Sequence, residues 1–348
     1  MKKAKHILYV LFKGKDSSLL YNGSSFVSTI LSDDVLITRN KIEIVFHRTK
    51  KIKKSEVLDS PNSIIRMHLQ KCLCFYLSVI GEIPTVKSVT FISGTESVEI
   101  EHERFTQTWK NCHAEIRIPA NNAKCIFDGG REHIFYVMLT YFLKAQLDNF
   151  SHDRFRAAWS ALNAMYNYIA KCKGENDAKE YKKLRLLMQI IDEDRTKNSV
   201  NKAKELDEDF WKSVGWYDLL THEDKGKLKE RFCDCYDDKY LLELIKNHAL
   251  GIALKTNIED INDDFLNTLD RKIKKNKAIP VDRLKFIIRK ECYSRRNRSF
   301  HAEKPYPLFV ISNDNETNIE KTLTEIVLLL FKDLYILFSG NKNEVLSV

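Results

Sequence analysis

The feature that most constrains this chain is a change of hydrophobic period near residue 128. Upstream, short segments rich in β-branched and aromatic residues recur at 7–12, 35–38, 42–47, 86–93, 98–102 and 114–118. Asn22-Gly23, Ser32-Asp33-Asp34 and Ser93-Gly94 supply turn signals between them. One segment, 63–80, carries Ile65, Leu69, Leu73 and Leu77 at helical spacing instead. Asn121-Asn122 and Asp128-Gly129-Gly130 then mark a boundary, and everything after it reads as mainly helical. The pattern predicts a strand-rich α+β domain over residues 1–128 and an all-α helical bundle over residues 129–348. No His or acidic residues of the first domain stand at catalytic spacing, so a recognition or regulatory role is expected there.

In the second domain the spacing predicts helices over 131–147 and 150–170. The latter carries Phe155, Trp159, Leu162, Met165, Tyr166 and Ile169 as one stripe, expected to be core or dimer interface. Asn163 on the same helix is either a polar group supporting a site or a surface asparagine. Residues 171–208 mix Lys, Glu and Asp around Leu184, Leu187 and Ile191, the pattern of a solvated helix pair. Further helices are predicted over 225–235, 239–254, 263–275 and 281–294, the last started by Pro280. A closing helix over 318–338 aligns Leu323, Ile326, Val327, Leu330, Leu334 and Leu337. There is no internal repeat.

Composition bounds the class. A chain of 348 residues, 43% hydrophobic, with 6 Pro and 11 Gly, suits a folded protein of long helices. Its net charge of +9 fits an anionic partner, or simply a solvated basic surface. The eight cysteines are expected to be unpaired thiols. Their two C-x-C pairs, Cys72/Cys74 and Cys233/Cys235, lack the spacing of zinc or redox sites. Cys112-His113 with Cys125 could hold a metal in principle, but no second matching pair stands nearby, so no metal and no cofactor is expected. The opening MKKAKHILYV run is broken by Lys13 and does not read as a signal peptide. The apolar runs 134–143 and 326–338, interrupted by Lys144 and Lys332-Asp333, are shorter than the roughly 20 residues a membrane span needs. A cytoplasmic protein without membrane contact is expected.

The chemistry concentrates in residues 292–308, CYSRRNRSFHAEKPYPL. Arg295, Arg296 and Arg298 surround Asn297, and His301 follows. Pro305 and Pro307 force the chain out of helix. Arginine forks onto phosphate oxygens and is permanently charged. Histidine exchanges protons near neutrality. Across residues 281–304, eight cations against three acids leave an excess of +5, which favours contact with a phosphate backbone.

Arg296-Asn297-Arg298-Ser299-Phe300-His301 resembles the R-N-x-x-x-H signature of HEPN-domain ribonucleases, all-helical domains of prokaryotic toxin and phage-defence systems. Residues 149–170, NFSHDRFRAAWSALNAMYNYIA, are similar to the first long helix of the larger members. The resemblance covers roughly residues 130–340. It implies a metal-independent endoribonuclease that cuts RNA, whether tRNA or mRNA, by attack of the 2′-OH. Arg296, Asn297 and His301 would be its catalytic residues, and Arg295, Arg298 and Lys304 would bind RNA. It further implies a homodimer through the helical domain that shares one composite site, with an antitoxin or a phage-derived trigger as regulator. Some members carry a tyrosine two residues after the histidine as a modification site. Glu303 stands there in this chain, and the nearest downstream tyrosine is Tyr306.

Spacing sets a geometric condition. Arg296 and His301 are five apart, so a straight helix splays them roughly 140°, whereas Asn297 and His301 share a face. Two alternatives remain: an RNA-binding module in which Tyr293, Phe300 and Tyr306 stack bases without cleavage, and a protein-interaction scaffold.

Overall fold

The computed structural model describes residues 4–27, 31–49, 52, 57, 63–101, 114–128, 133–221, 227–256, 261–300 and 315–340. An N-terminal antiparallel β-sheet is followed by a mostly helical region. The six strands are β1 (Ala4–Phe12), β2 (Leu19–Phe26), β3 (Ser32–Thr38), β4 (Lys41–Arg48), β5 (Val86–Ser93) and β6 (Glu96–Ile100). They lie in the order β2-β3-β4-β1-β5-β6. Alternation decides the faces. His6, Leu8, Val10, Ile42, Ile44, Phe46, Val89 and Phe91 are all buried, while their neighbours along each strand are not.

Helix α1 (Ile64–Ile80) packs on that face, with the Tyr76 ring 5.1 Å from Phe12. Ser63 caps its N-terminus by accepting the Arg66 amide. Its C-terminus ends at Gly81, where φ is +81°, and a Cβ there would lie 2.5 Å from the Ala114 carbonyl oxygen. Only glycine fits both conditions.

Four sequence expectations about this region need correction. Asn22-Gly23 is not a turn but the middle of β2, and Ser32-Asp33-Asp34 opens β3. Asn121-Asn122 sits in a short helix, Ala120–Ala123, rather than in a boundary loop. Residues 114–118 form no strand, and the chain bends at Ile116. Their backbone is bound by other partners: Ala114 by the Gly81 carbonyl, Ile118 by Ser78, and Ile116 by both ends of the Gln146 amide. The turn at Gly94, where φ is +62°, closes the β5–β6 hairpin as read.

The helical region continues with α2 (His133–Leu147), α3 (Ser151–Cys172), α4 (Glu180–Ile190), α5 (Lys197–Lys204), α6 (Glu208–Ser213) and α7 (Trp216–Thr221). Next come α8 (Lys239–Ala253), α9 (Asp263–Lys275), α10 (Pro280–Phe286), α11 (Tyr293–Phe300) and α12 (Asn315–Gly340). Phe155, Trp159, Leu162, Leu323, Ile326 and Leu330 are buried within the single chain. Those stripes are core, and any contact between copies has to use other surface. By packing, the chain divides into two units, 1–168 with 335–347, and 169–334. The division falls within α3 and α12, so it does not follow the change from strand to helix.

Inside the second unit, Asp333 of α12 is a buried acceptor. It takes the Asn198 amide at 2.6 Å, and the Ser199 backbone N–H and hydroxyl each at 3.1 Å, fastening α5. Leu184 and Leu187 of α4 are likewise buried, so the 171–208 pair is packed on one side rather than solvated throughout. Among the described residues, no helix is long and apolar enough to cross a membrane.

Candidate active site

The arginine-rich stretch is helical. Pro280 occupies the first turn of α10, where its missing N–H costs nothing. The chain then passes through a wider, π-type turn, Ile287–Cys292, and runs on as α11 to Phe300. The predicted helix end near Ser294 is therefore extended by six residues, and Arg295, Arg296, Asn297 and Arg298 lie on helix rather than beyond it. Leu284, Phe286, Ile287, Ile288 and Cys292 are buried and fix this rod in the second unit. The π-type turn adds a residue to one winding, a feature often found at functional sites.

Each arginine of α11 meets a carboxylate. Arg295 Nε donates to Glu291 at 2.5 Å; Glu291 is almost fully buried and also accepts the Gly215 amide at 3.4 Å. Arg298 Nη1 stands 3.2 Å from Asp218 of α7. Arg296 is held twice: Nη2 is 3.0 Å from the Glu180 carboxylate at the start of α4, and Nη1 donates to the Asn297 side-chain oxygen at 2.8 Å. Its side chain is only 16% exposed. The result is a part-buried, permanently charged guanidinium whose plane is set by two acceptors.

Upstream cations are also committed. Arg283 forks onto Asp238 at 3.0 and 3.2 Å and lies 4.6 Å over the Tyr240 ring. Arg289 donates to the Cys235 sulfur, and Lys290 lies 5.1 Å over Phe232. The excess of +5 counted along the sequence is thus offset in space by Glu180, Asp218 and Asp238, none of which is a sequence neighbour. Sequence reasoning missed these carboxylates because nothing local marks them. The structure brings Arg296 and Asn297 together. His301 and Lys304 lie outside the described residues, as do Cys112, His113 and Tyr306. Asn163, one turn from Asn167, accepts that residue's amide at 2.5 Å.

One other cluster has the residue types of a nucleophile, a base and an acid. The Ser25 hydroxyl is 2.7 Å from His68 Nδ1, and His68 Nε2 stands 3.1 Å from Asp33, which also takes both Nη groups of Arg48. Ser25 and Asp33 are cross-strand partners on β2 and β3, and His68 comes from α1. Burial raises the Asp33 carboxyl, but the hydrogen bonds from His68 and Arg48 outweigh it and hold the group below its usual range. Ser25 and His68 have no exposed surface at all. No substrate reaches that hydroxyl in this conformation, and the cluster fastens α1 to the sheet.

Among the described residues seven cysteines, all but Cys112, form no disulfide. Among the described residues no group of three or more His, Cys, Asp or Glu is placed to hold a metal ion. Comparisons with protein-family profiles, with curated proteins and with solved structures find no match.

Proposed function

We propose that the chain is a metal-independent endoribonuclease of the HEPN type, acting in the cytoplasm as a homodimer in phage defence or a toxin–antitoxin pair. The observation that carries this reading is the fixed guanidinium of Arg296, held by Glu180 and Asn297 on a helix that runs to the residue before His301. RNA brings its own nucleophile, the 2′-OH. Cleavage then needs positive charge on the phosphoryl oxygens and proton transfer at the two ester oxygens. Arg296 supplies the charge, Asn297 orients it, and His301 moves the proton. Two copies in one dimer give the reaction both a base and an acid.

A second reading is RNA binding without cleavage, in which the arginines of α11 contact phosphates and do no chemistry. Product chemistry separates the two, because only the enzyme leaves a 2′,3′-cyclic phosphate. The test is incubation of the full chain with total RNA in EDTA, beside a His301→Ala control.

A further inference from the structure

Helix α1 covers one face of the β-sheet, and on the other face the strand register aligns side chains in rows. Val45, Ile7 and Ile92 stand side by side on β4, β1 and β5, with Asp34 and Ser97 at the two ends. The next row runs Leu36, Glu43, Tyr9, Thr90 and Glu99. A third runs Lys41, Leu11 and Ser88. None of these residues is buried, and Leu11 is 38% exposed.

Antiparallel sheets often leave one face to water, but that face is then polar. This one has Leu36, Val45, Ile7, Tyr9, Leu11 and Ile92 in its middle. Its charges are Lys5 and Lys41 against Asp34, Glu43 and Glu99, and Lys41 is tied to Glu43 at 3.1 Å. Two lysines against three carboxylates leave −1, on a chain of net charge +9. An apolar middle with a polar rim is the build of a protein interface. A nucleic acid finds no excess of cations here.

Breadth selects the occupant. The apolar set reaches across four strands, β3 to β5, which is about 14 Å. One helix, about 10 Å across, leaves part of that uncovered, whereas a second sheet covers all of it. Every copy of this chain carries such a sheet. Six strands by roughly seven residues make about 700 Å² a copy. Two copies then bury about 1,400 Å², within the roughly 1,200–2,000 Å² of a stable interface. Charge agrees, because two basic chains meet with least repulsion where the shared face has both signs and almost no net charge.

We propose that two copies of the chain pack sheet against sheet through this face, about a two-fold axis. The contact goes beyond the ribonuclease reading and uses none of its chemistry. It joins copies through surface that the single chain leaves open, which the buried stripes of α3 and α12 cannot do.

Sedimentation velocity of the full chain should give the mass of a dimer. Ile7→Lys, in the middle of the face, sets like charges against each other and should weaken association at least about a hundredfold. Ile7 is part-exposed, so circular dichroism should show that variant folded. Tyr9→Cys, also central, is a second probe that adds no charge. Stacked sheets lie about 10 Å apart, so a bismaleimide of similar span should join two copies of that variant above the wild-type background. A monomeric wild type overturns the proposal. So does a folded Ile7→Lys that stays dimeric, or a Tyr9→Cys variant with no added cross-link. RNA cleavage is scored in the same samples. A dimer lost in Ile7→Lys, in a chain that never cuts RNA, removes the ribonuclease reading and leaves the sheet contact. Cleavage by a chain whose dimer ignores Ile7→Lys does the reverse.

Discussion

Arg296 and Glu180 stand 3.0 Å apart, joining the middle of α11 to the first residue of α4. Asn297 holds the other terminal nitrogen of the same guanidinium. These two contacts differ in consequence. Arg296→Ala should remove the charge on the phosphoryl oxygens and cost about 10²–10³-fold in cleavage. Asn297→Ala leaves the charge but frees its orientation, and should cost less, with kcat falling more than KM rises. Equal losses in the two variants, measured in one RNA cleavage assay, would contradict a positioning role for Asn297.

Arg283 is expected to be structural. Asp238 accepts the backbone N–H groups of Leu241 and Ile279 as well as both Arg283 nitrogens, and it has no exposed surface. Breaking a buried pair strands a charge, so Asp238→Ala should cost about 3–5 kcal/mol in urea unfolding. Arg283→Met should leave the salt dependence of RNA binding unchanged, whereas Arg298→Ala should flatten it. A flatter slope for Arg283→Met would return that residue to the interface.

Two histidines make stability depend on pH near neutrality. His6 packs against both Phe46 and Phe91, at 5.6 and 6.0 Å, and burial first, then Arg48 and His47, pushes its pKa down. Burial does the same to His248 against Trp216. A histidine held neutral contributes stability that is complete above its unfolded pKa, about 6.5, and is lost as pH falls toward the lower folded value. Thermal midpoints should therefore drop between about pH 7.5 and pH 5.5. The drop should shrink in His6→Phe and His248→Phe, and identical pH profiles in wild type and variants would show that neither imidazole is kept neutral.

The Asp33 cluster should respond only in stronger acid. Its carboxyl is held below the usual range, so it stabilises the fold above about pH 4 and fails below that. Ser25→Ala, which leaves His68 Nδ1 buried without that hydroxyl, should cost about 1–3 kcal/mol. Hydrolysis of an activated ester by wild type but not by Ser25→Ala would show instead that the cluster opens and reacts.

The alternating strands β1, β4 and β5 and the long helices were legible because each has one period and one buried face. Strand β2 was not: Asn22-Gly23 has the composition of a hairpin turn, but pairing with Leu36 and Val35 on β3 overrides it. Residues 114–118 look like a strand because Ala114, Ile116 and Ile118 alternate with Glu115 and Arg117, and only the tertiary partners Gly81, Ser78 and Gln146 show that no ladder forms. At the candidate site, Arg295–Arg298 is visible as a motif. Its carboxylate partners Glu180 and Asp218 belong to other helices, and contacts so distant in sequence leave no local signal.

The ends of the RNA fragments decide whether this chain cleaves by metal-independent 2′-OH attack. Full-length protein is incubated with total RNA in excess EDTA, and the product ends are identified, beside His301→Ala. The account predicts fragments bearing 2′,3′-cyclic phosphate from wild type, with the variant reduced about 10²–10⁴-fold. Cleavage that EDTA abolishes, or that His301→Ala retains in full, would contradict it.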